Sequence, residues 1–303
     1  MGISSRPYRP DDFLKIRDFL SETYQMNGRL HNWGIERWNI FPFGTRKKEE
    51  IAGKRLWEQD ICIWEDAGKM VAVVHPENPN DYYFQIHPGY RNFEEQMIIW
   101  AEEHHKRKQI QKGENTPLEF QVFENDSYRM DLLGSRGYVQ GDWCGVSRGC
   151  DLDSVSTEYQ LAEGYKIKNM KEMNDFIAKA ALLNLAFDST SNSEATAALL
   201  LNAPDYHPEM DFIAVAPDGA MAAFVLVWFD SRNGYGMFEP VGTHPQHRRK
   251  GLANALLLHG LQKLKNLGAN WASLGTGTGE AANRLYEKAG FTHSVREFSW
   301  KKQ

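Results

Sequence analysis

Apolar and polar positions run along this chain in two rounds of one plan. In the first round, the charged turn Pro10-Asp11-Asp12 leads into Phe13, Ile16, Phe19 and Leu20, whose spacings suit one face of a helix. Two β-rich runs, residues 61–64 and 70–74, then flank Asp66-Ala67-Gly68-Lys69, which reads as a hairpin. In the second round, a helix is expected from about Lys171, with Met173, Ile177, Ala180 and Ala181 on its apolar side. Residues 212–215 and a long apolar run ending at Phe229 flank Pro217-Asp218-Gly219, a second hairpin. A third strand leading into a helix follows in each round, and there the wording repeats. His87-Pro88-Gly89-Tyr90-Arg91 matches His244-Pro245-Gln246-His247-Arg248 at a constant offset of 157, and Leu132 to Tyr138 mirrors Leu285 to Phe291. A tandem duplication of one α+β unit accounts for both matches. The polar stretch 151–164 reads as the linker, so the expected domains are residues 1–153 and 154–303.

Composition narrows the class. With 303 residues, 42% hydrophobic and 12% aromatic, the chain can bury two cores. The first 153 residues carry 20 Lys+Arg against 25 Asp+Glu and the remainder 15 of each, so the net of −5 lies in the first half. That balance argues against a partner bound through bulk positive charge, nucleic acid above all. The longest apolar run, residues 220–229, is too short to span a bilayer, and the polar start is not a secretory signal. Cys62, Cys144 and Cys150 form no CxxC pair, so a reducing, cytoplasmic setting without membrane association is expected.

Chemistry concentrates in the second half. The segment 241–258 reads strand, sharp turn, helix, with Arg248-x-x-Gly251-x-Ala253 at the helix start. First-turn amides lack internal acceptors and lie at the positive end of the helix dipole. A side chain of one hydrogen at Gly251 admits a diphosphate to that backbone, and Arg248, Arg249 and Lys250 flank it. Cations at a helix start oppose the dipole, which favours a bound anion over a plain solvated turn. Upstream, Pro240 cannot donate to a ladder and Gly242 follows it, so the strand 235–242 is expected to part from a neighbour and leave the amides of Val241 and Thr243 free. An ordinary bulge or edge proline is the plainer alternative.

Arg248-x-x-Gly251-x-Ala253, followed by Leu285-Tyr286-x-x-x-Gly290-Phe291, resembles the core of the GNAT superfamily of acetyl-CoA-dependent N-acyltransferases. The second half resembles one such domain and the first half a worn copy. The resemblance implies an α/β (α+β) fold: two tandem GNAT-like domains, each a twisted mixed sheet with helices on both faces. It implies acetyl-CoA as co-substrate, with no metal, wedged where two parallel strands splay. It also implies cofactor contacts from Val241, Thr243, Arg248, Arg249, Lys250, Gly251, Leu252 and Ala253, the first two on the pantetheine arm and the acetyl carbonyl.

Acetyl transfer to an amine poses two proton problems. An amine of pKa about 10.4 must lose a proton before attack, and a thiolate of parent pKa about 8.5 leaves more readily if it is protonated. Tyr286 occupies the family's position for the proton donor. Glu239, directly before Pro240, is the favoured base, with a water chain as the alternative. Where the family often has a cofactor-binding Asn, this chain has Gly279; Asn283 lies on another helical face, and Thr276 or Thr278 would substitute as a hydroxyl donor.

In the first half Glu94 replaces Gly251, Gln96 replaces Ala253 and Leu133 replaces Tyr286, so no cofactor is expected there. The Trp-rich segment 31–38 is expected to pack as aromatic core or to shape the acceptor site, and His104 and His105 are expected at the surface. The partner is then a small-molecule or peptide amine, with a homodimer left open. A non-catalytic acyl-CoA sensor or scaffold remains the alternative function.

Overall fold

The apolar stripe at the start of the sequence folds as read. In the computed structural model, which describes residues 2–27, 32–43 and 56–302, Ile16, Phe19 and Leu20 are buried along the helix Asp12–Asn27. Asp12 at its start is itself buried, held by the Arg6 guanidinium at 2.6 and 3.0 Å and by the Arg9 amide at 2.8 Å. The helix expected from Lys171 is interrupted. Asn174 adopts a left-handed φ of 45° and Asp175 caps a new helix, so Met170–Met173 and Phe176–Phe187 are separate. That break rotates the register: Lys179, Ala180 and Leu182 face inward, whereas Ile177 and Ala181 are exposed.

The chain forms two compact units, one comprising Met1–Ile35, Ala52–Gly145 and Val295–Gln303, the other Glu36–Ile51 and Val146–Ser294. These differ from a cut after residue 153 in three places. The first unit takes in the C-terminal strand through its pairing with residues 119–123, and the second takes in the end of the strand Tyr138–Asp151 through sheet pairing and the helix segment from Glu36.

In the first unit, β1 (Ser4–Pro7), β2 (Cys62–Asp66), β3 (Lys69–Pro76) and β4 (Asp81–Ile86) pair antiparallel in sequence order. β4 then pairs in parallel with β5 (Glu119–Phe123), but only at Asp81↔Glu119 and Tyr82↔Phe120. The far side of β5 is covered by the C-terminal strand of the chain, with Glu297 to Lys301 opposite Phe123 to Glu119. The helices Glu94–Lys112 and Ser127–Ser135 contribute Met97, Ile98, Ala101 and Leu133 to a core with Val74, Phe84 and Phe120.

The unit boundary falls within β6 (Tyr138–Asp151), whose end, residues 146–151, pairs antiparallel with a strand of the second unit. There the strands are β7 (Lys166–Asn169), β8 (Asp211–Val215), β9 (Met221–Asp230), β10 (Tyr235–Thr243) and β11 (Trp271–Thr276), in the order β6-β11-β10-β9-β8-β7. The hairpin around Gly219 joins β8 to β9 as expected. The helix Leu252–Asn266 packs Leu256, Leu257, Leu261 and Leu264 on the sheet. Gly260 permits the approach, since a Cβ there would lie 2.6 Å from the Phe238 ring. Among the described residues no helix is long and apolar enough to cross a membrane.

One ion pair is sealed in the second unit. Lys179 Nζ donates to Asp211 Oδ1 at 2.6 Å, the Tyr206 hydroxyl donates to Asp211 Oδ2 at 3.0 Å, and the Phe224 ring lies 4.7 Å from the ammonium. Asp211→Ala leaves a buried ammonium unpaired and should destabilise this unit by about 3–5 kcal/mol in denaturant unfolding, while the double variant Lys179→Met/Asp211→Leu should lose much less.

Candidate active site

β10 starts as a fully paired strand and ends half paired. Tyr235, Gly236 and Met237 pair in parallel with Trp271, Ala272 and Ser273 of β11, and the Tyr235 and Ser273 hydroxyls bridge the two strands at 2.6 Å. Past Met237 the strands keep their outer neighbours and lose each other: β10 stays on β9 to Thr243↔Ala223, and β11 stays on β6 to Thr276↔Val146. A bulge between Phe238 and Val241 contains Pro240, and Trp228 Nε1 donates to the Glu239 carbonyl at 2.8 Å, which fixes the bulged backbone. The His244 amide donates to the Ala222 carbonyl at 2.9 Å, on the β9 side. Strand alternation therefore points the amides of Val241 and Thr243 the other way, into the gap.

The gap leads to the turn at 244–251. His244 Nδ1 accepts from the Gln246 amide at 3.1 Å; in the first unit His87 Nδ1 accepts from the Gly89 amide at 3.0 Å. The repeated His-Pro wording thus encodes a capped 3₁₀ turn. The helix Leu252–Asn266 follows without a side-chain cap. The Ala255 amide donates to the Gly251 carbonyl at 3.0 Å, while the amides of Gly251, Leu252, Ala253 and Asn254 meet no acceptor among the described residues. Gly251 has φ +75°, and a Cβ there would meet open space; Arg249 is also left-handed, at φ 62°. Alternating handedness turns successive N–H groups toward a common point, a concave anion site at the positive end of the helix.

The side chains around the turn are held by named partners. Arg248 Nε donates to the Thr243 carbonyl at 3.3 Å and its Nη2 to the Ala186 carbonyl at 3.1 Å, so it braces the turn. Lys250 Nζ donates to the Tyr165 hydroxyl at 3.0 Å, and that hydroxyl lies 2.8 Å from His247 Nδ1. Arg249 is exposed, the Leu252 side chain is buried, and Ala253 is half-buried. Leu252 and Ala253 can offer a ligand their amides.

Tyr286 sits on the helix Glu280–Lys288 with its ring among the core residues of this unit. Its hydroxyl has no hydrogen-bond partner among the described residues, and burial together with the charge of Glu239 pushes the phenol up to about 12. Glu239 forms an ion pair with Arg37, both side chains partly exposed. Arg37 belongs to the helix Ile35–Phe43, which lies within the second unit from Glu36 onward. The same helix brings Glu36, which sequence reasoning missed. Its side chain is 1% exposed, and neither carboxyl oxygen is bonded to another residue. Burial, with Glu239 and Asp230 adding negative charge, pushes Glu36 up to about 8. The one signal for it was a carboxylate inside an aromatic run: Trp38 is fully buried, and Trp33 packs on His75 and Tyr83 in the first unit. His31 of that run lies outside the described residues.

Other candidates serve the framework. Asn283 donates to the carbonyls of Gly277 and Gly279 at 3.0 and 2.9 Å and accepts from Arg148 at 2.8 Å, shaping the turn before its helix. Thr276 is half-buried and Thr278 exposed. His104 and His105 are not at the surface: they lie 2.8 Å from Asp60 and from the Thr116 carbonyl, respectively, and His105 is buried. Burial is the main reason the Cys144 thiol rises to about 11 and those of Cys62 and Cys150 to about 12, which opposes thiolate chemistry. Among the described residues no group of three His, Cys, Asp or Glu is arranged to hold a metal ion.

The first unit repeats the parting of parallel strands and then fills the turn. Glu94, at the position of Gly251, is fully buried; it contacts Arg129 closely and Arg91 at 2.8 Å, and Arg91 also holds Asp126 at 2.6 Å. A side-chain carboxylate stands where the second unit leaves open space.

The acetyltransferase (GNAT) family model matches residues 179–291. A mycothiol acetyltransferase of Nocardiopsis dassonvillei is 40% identical over 96 residues, a stretch that covers 28% of this chain and 28% of that protein. Over the whole length the chain is similar in structure to a tandem GNAT protein from the clavulanic acid biosynthesis pathway (TM-score 0.67, 15% identity, 99% of this chain and 98% of that one). It is likewise similar to a GCN5-related N-acetyltransferase of Sphaerobacter thermophilus (TM-score 0.65, 17% identity, 99% and 96%). These two likenesses establish the fold. Residues 179–291, within the second unit, match the acetyltransferase (GNAT) family, in a fold shared along the whole length with a tandem GNAT protein and a GCN5-related N-acetyltransferase.

Proposed function

We propose that this chain is an N-acetyltransferase that moves an acetyl group from acetyl-CoA to a primary amine by direct attack, using the second unit alone. The observation that carries the reading is two sets of unpartnered main-chain N–H groups, Val241 and Thr243 at the parted end of β10 and Gly251 to Asn254 at the first turn of the helix at Leu252, on either side of the bonded turn 244–248. Two such sets match a long ligand with a diphosphate at one end and an amide-bearing arm at the other. Acetyl-CoA, when bound, supplies the activated thioester. The amides of Gly251 to Asn254 hold the diphosphate, with the exposed Arg249 beside them. The amides of Val241 and Thr243 take the arm and the carbonyl oxygen, whose growing negative charge they stabilise. Glu239 receives the proton of the attacking amine once its contact with Arg37 opens. The Tyr286 hydroxyl gives its proton to the departing sulfur, and its raised proton affinity keeps it in the acid form at neutral pH.

Isothermal titration with acetyl-CoA is expected to give one site per chain, abolished by Gly251→Val, whose side chain strains the left-handed turn and fills the cradle; two sites would overturn the assignment of the cofactor to the second unit alone. Tyr286→Phe should lower kcat by roughly 10²-fold or more with acetyl-CoA affinity unchanged; an unaltered kcat would remove the acid role. Because burial and Glu239 raise the phenol to about 12, its ionisation should add no falling limb to the kcat profile between about pH 7 and 10, as read from initial rates of CoA release.

A further inference from the structure

Glu36 is a buried carboxyl without a hydrogen-bond partner among the described residues of the second unit. A carboxyl group at 1% exposure with neither oxygen bonded to another residue is a costly arrangement, and native proteins keep such groups satisfied unless a ligand completes them. Its surroundings are charged on three elements. Arg37 neighbours it on its own helix, Glu239 comes from the bulge of β10, and Asp230 comes from the end of β9. Asp230 accepts from the Arg232 amide at 3.1 Å and from Asn233 Nδ2 at 2.7 Å. The Arg37 guanidinium contacts Glu239 directly, whereas Glu36 feels it only through its charge and has no hydrogen-bond partner on either carboxyl oxygen among the described residues. Tyr286 feels the charge of Glu239 as well, so the acid, the base and Glu36 are within electrostatic reach of one group.

We propose that Glu36 is the anchor of the acceptor: the ammonium of the incoming amine docks between the Glu36 and Glu239 carboxyl groups, taking the place on Glu239 that the Arg37 guanidinium now holds. The proposal deepens the acetyltransferase reading and rests on it. It assigns the acceptor class as a primary ammonium compound recognised by two carboxylates, and it makes Arg37 a stand-in cation that must swing away for the base to be used. Docking ionises Glu36, which holds its proton at neutral pH in the ligand-free state, so one proton leaves for solvent as the ammonium arrives.

The test titrates the CoA-loaded full chain at pH 7 with putrescine, D-glucosamine and glycyl-L-lysine amide, in two buffers of different ionisation heat. The wild type should bind at least one of these with release of close to one proton. Glu36→Gln, which keeps the shape but cannot ionise, should bind the same amine about tenfold or more weakly and release none. Glu36→Asp should recover part of the affinity. Undiminished affinity in Glu36→Gln, binding to the wild type without proton release, or no binding of any of the three would overturn the proposal. Acetyl-CoA titrated into the same wild-type protein reports separately on the acetyltransferase reading: failure there sinks that reading, whatever the amines do.

Discussion

Two parallel strands that stop pairing while both continue are the constraint on which the second unit depends. A sheet normally satisfies its main-chain donors within itself, and leaving them open inside a fold is unfavourable unless something else binds there. β10 and β11 part after Met237 and Ser273, yet each remains anchored on its outer side, so the opening is rigid rather than frayed. The bulge at Pro240 and the Trp228 bond to the Glu239 carbonyl hold one lip of it. Beyond the bonded turn 244–248, the helix start at Gly251 opens a second set of main-chain donors. Arg248 contributes by fastening that corner to Thr243 and Ala186.

The two units treat the same turn in different ways. Both part their parallel strands, and both cap the following turn with a histidine ring nitrogen. They diverge at one position. Glu94 carries its own anion into the helix start and collects Arg91 and Arg129 around it as ion pairs. Gly251 carries nothing and leaves the helix dipole unanswered. The copies differ at this position by an internal carboxylate in one and open space in the other.

Much of this was legible in the sequence, because the relevant signals were local. The hairpins at Gly68 and Gly219 followed from turn chemistry, and the half-unpaired β10 followed from a proline that cannot donate. What was not legible required distant partners. The role of Arg248 depends on carbonyls of Thr243 and Ala186, the latter 62 residues away. Glu36 is 203 positions from Glu239, and only the helix Ile35–Phe43 crossing into the other half of the sequence brings them into range. The break at Asn174 was missed because apolar spacing ignores a single left-handed residue. The histidines at 104 and 105 read as polar surface, since nothing nearby announces that Asp60 and Thr116 will close over them.

The crossing of strands between sequence halves has a consequence for how such a chain persists. The last strand of the chain covers β5, and the end of β6 covers β11. Deleting residues 1–153 would strip β11 of an edge partner and remove the segment bearing Glu36 and Arg37. Neither half of the sequence encodes the whole of its own unit, so neither can be shed without unmaking part of the other.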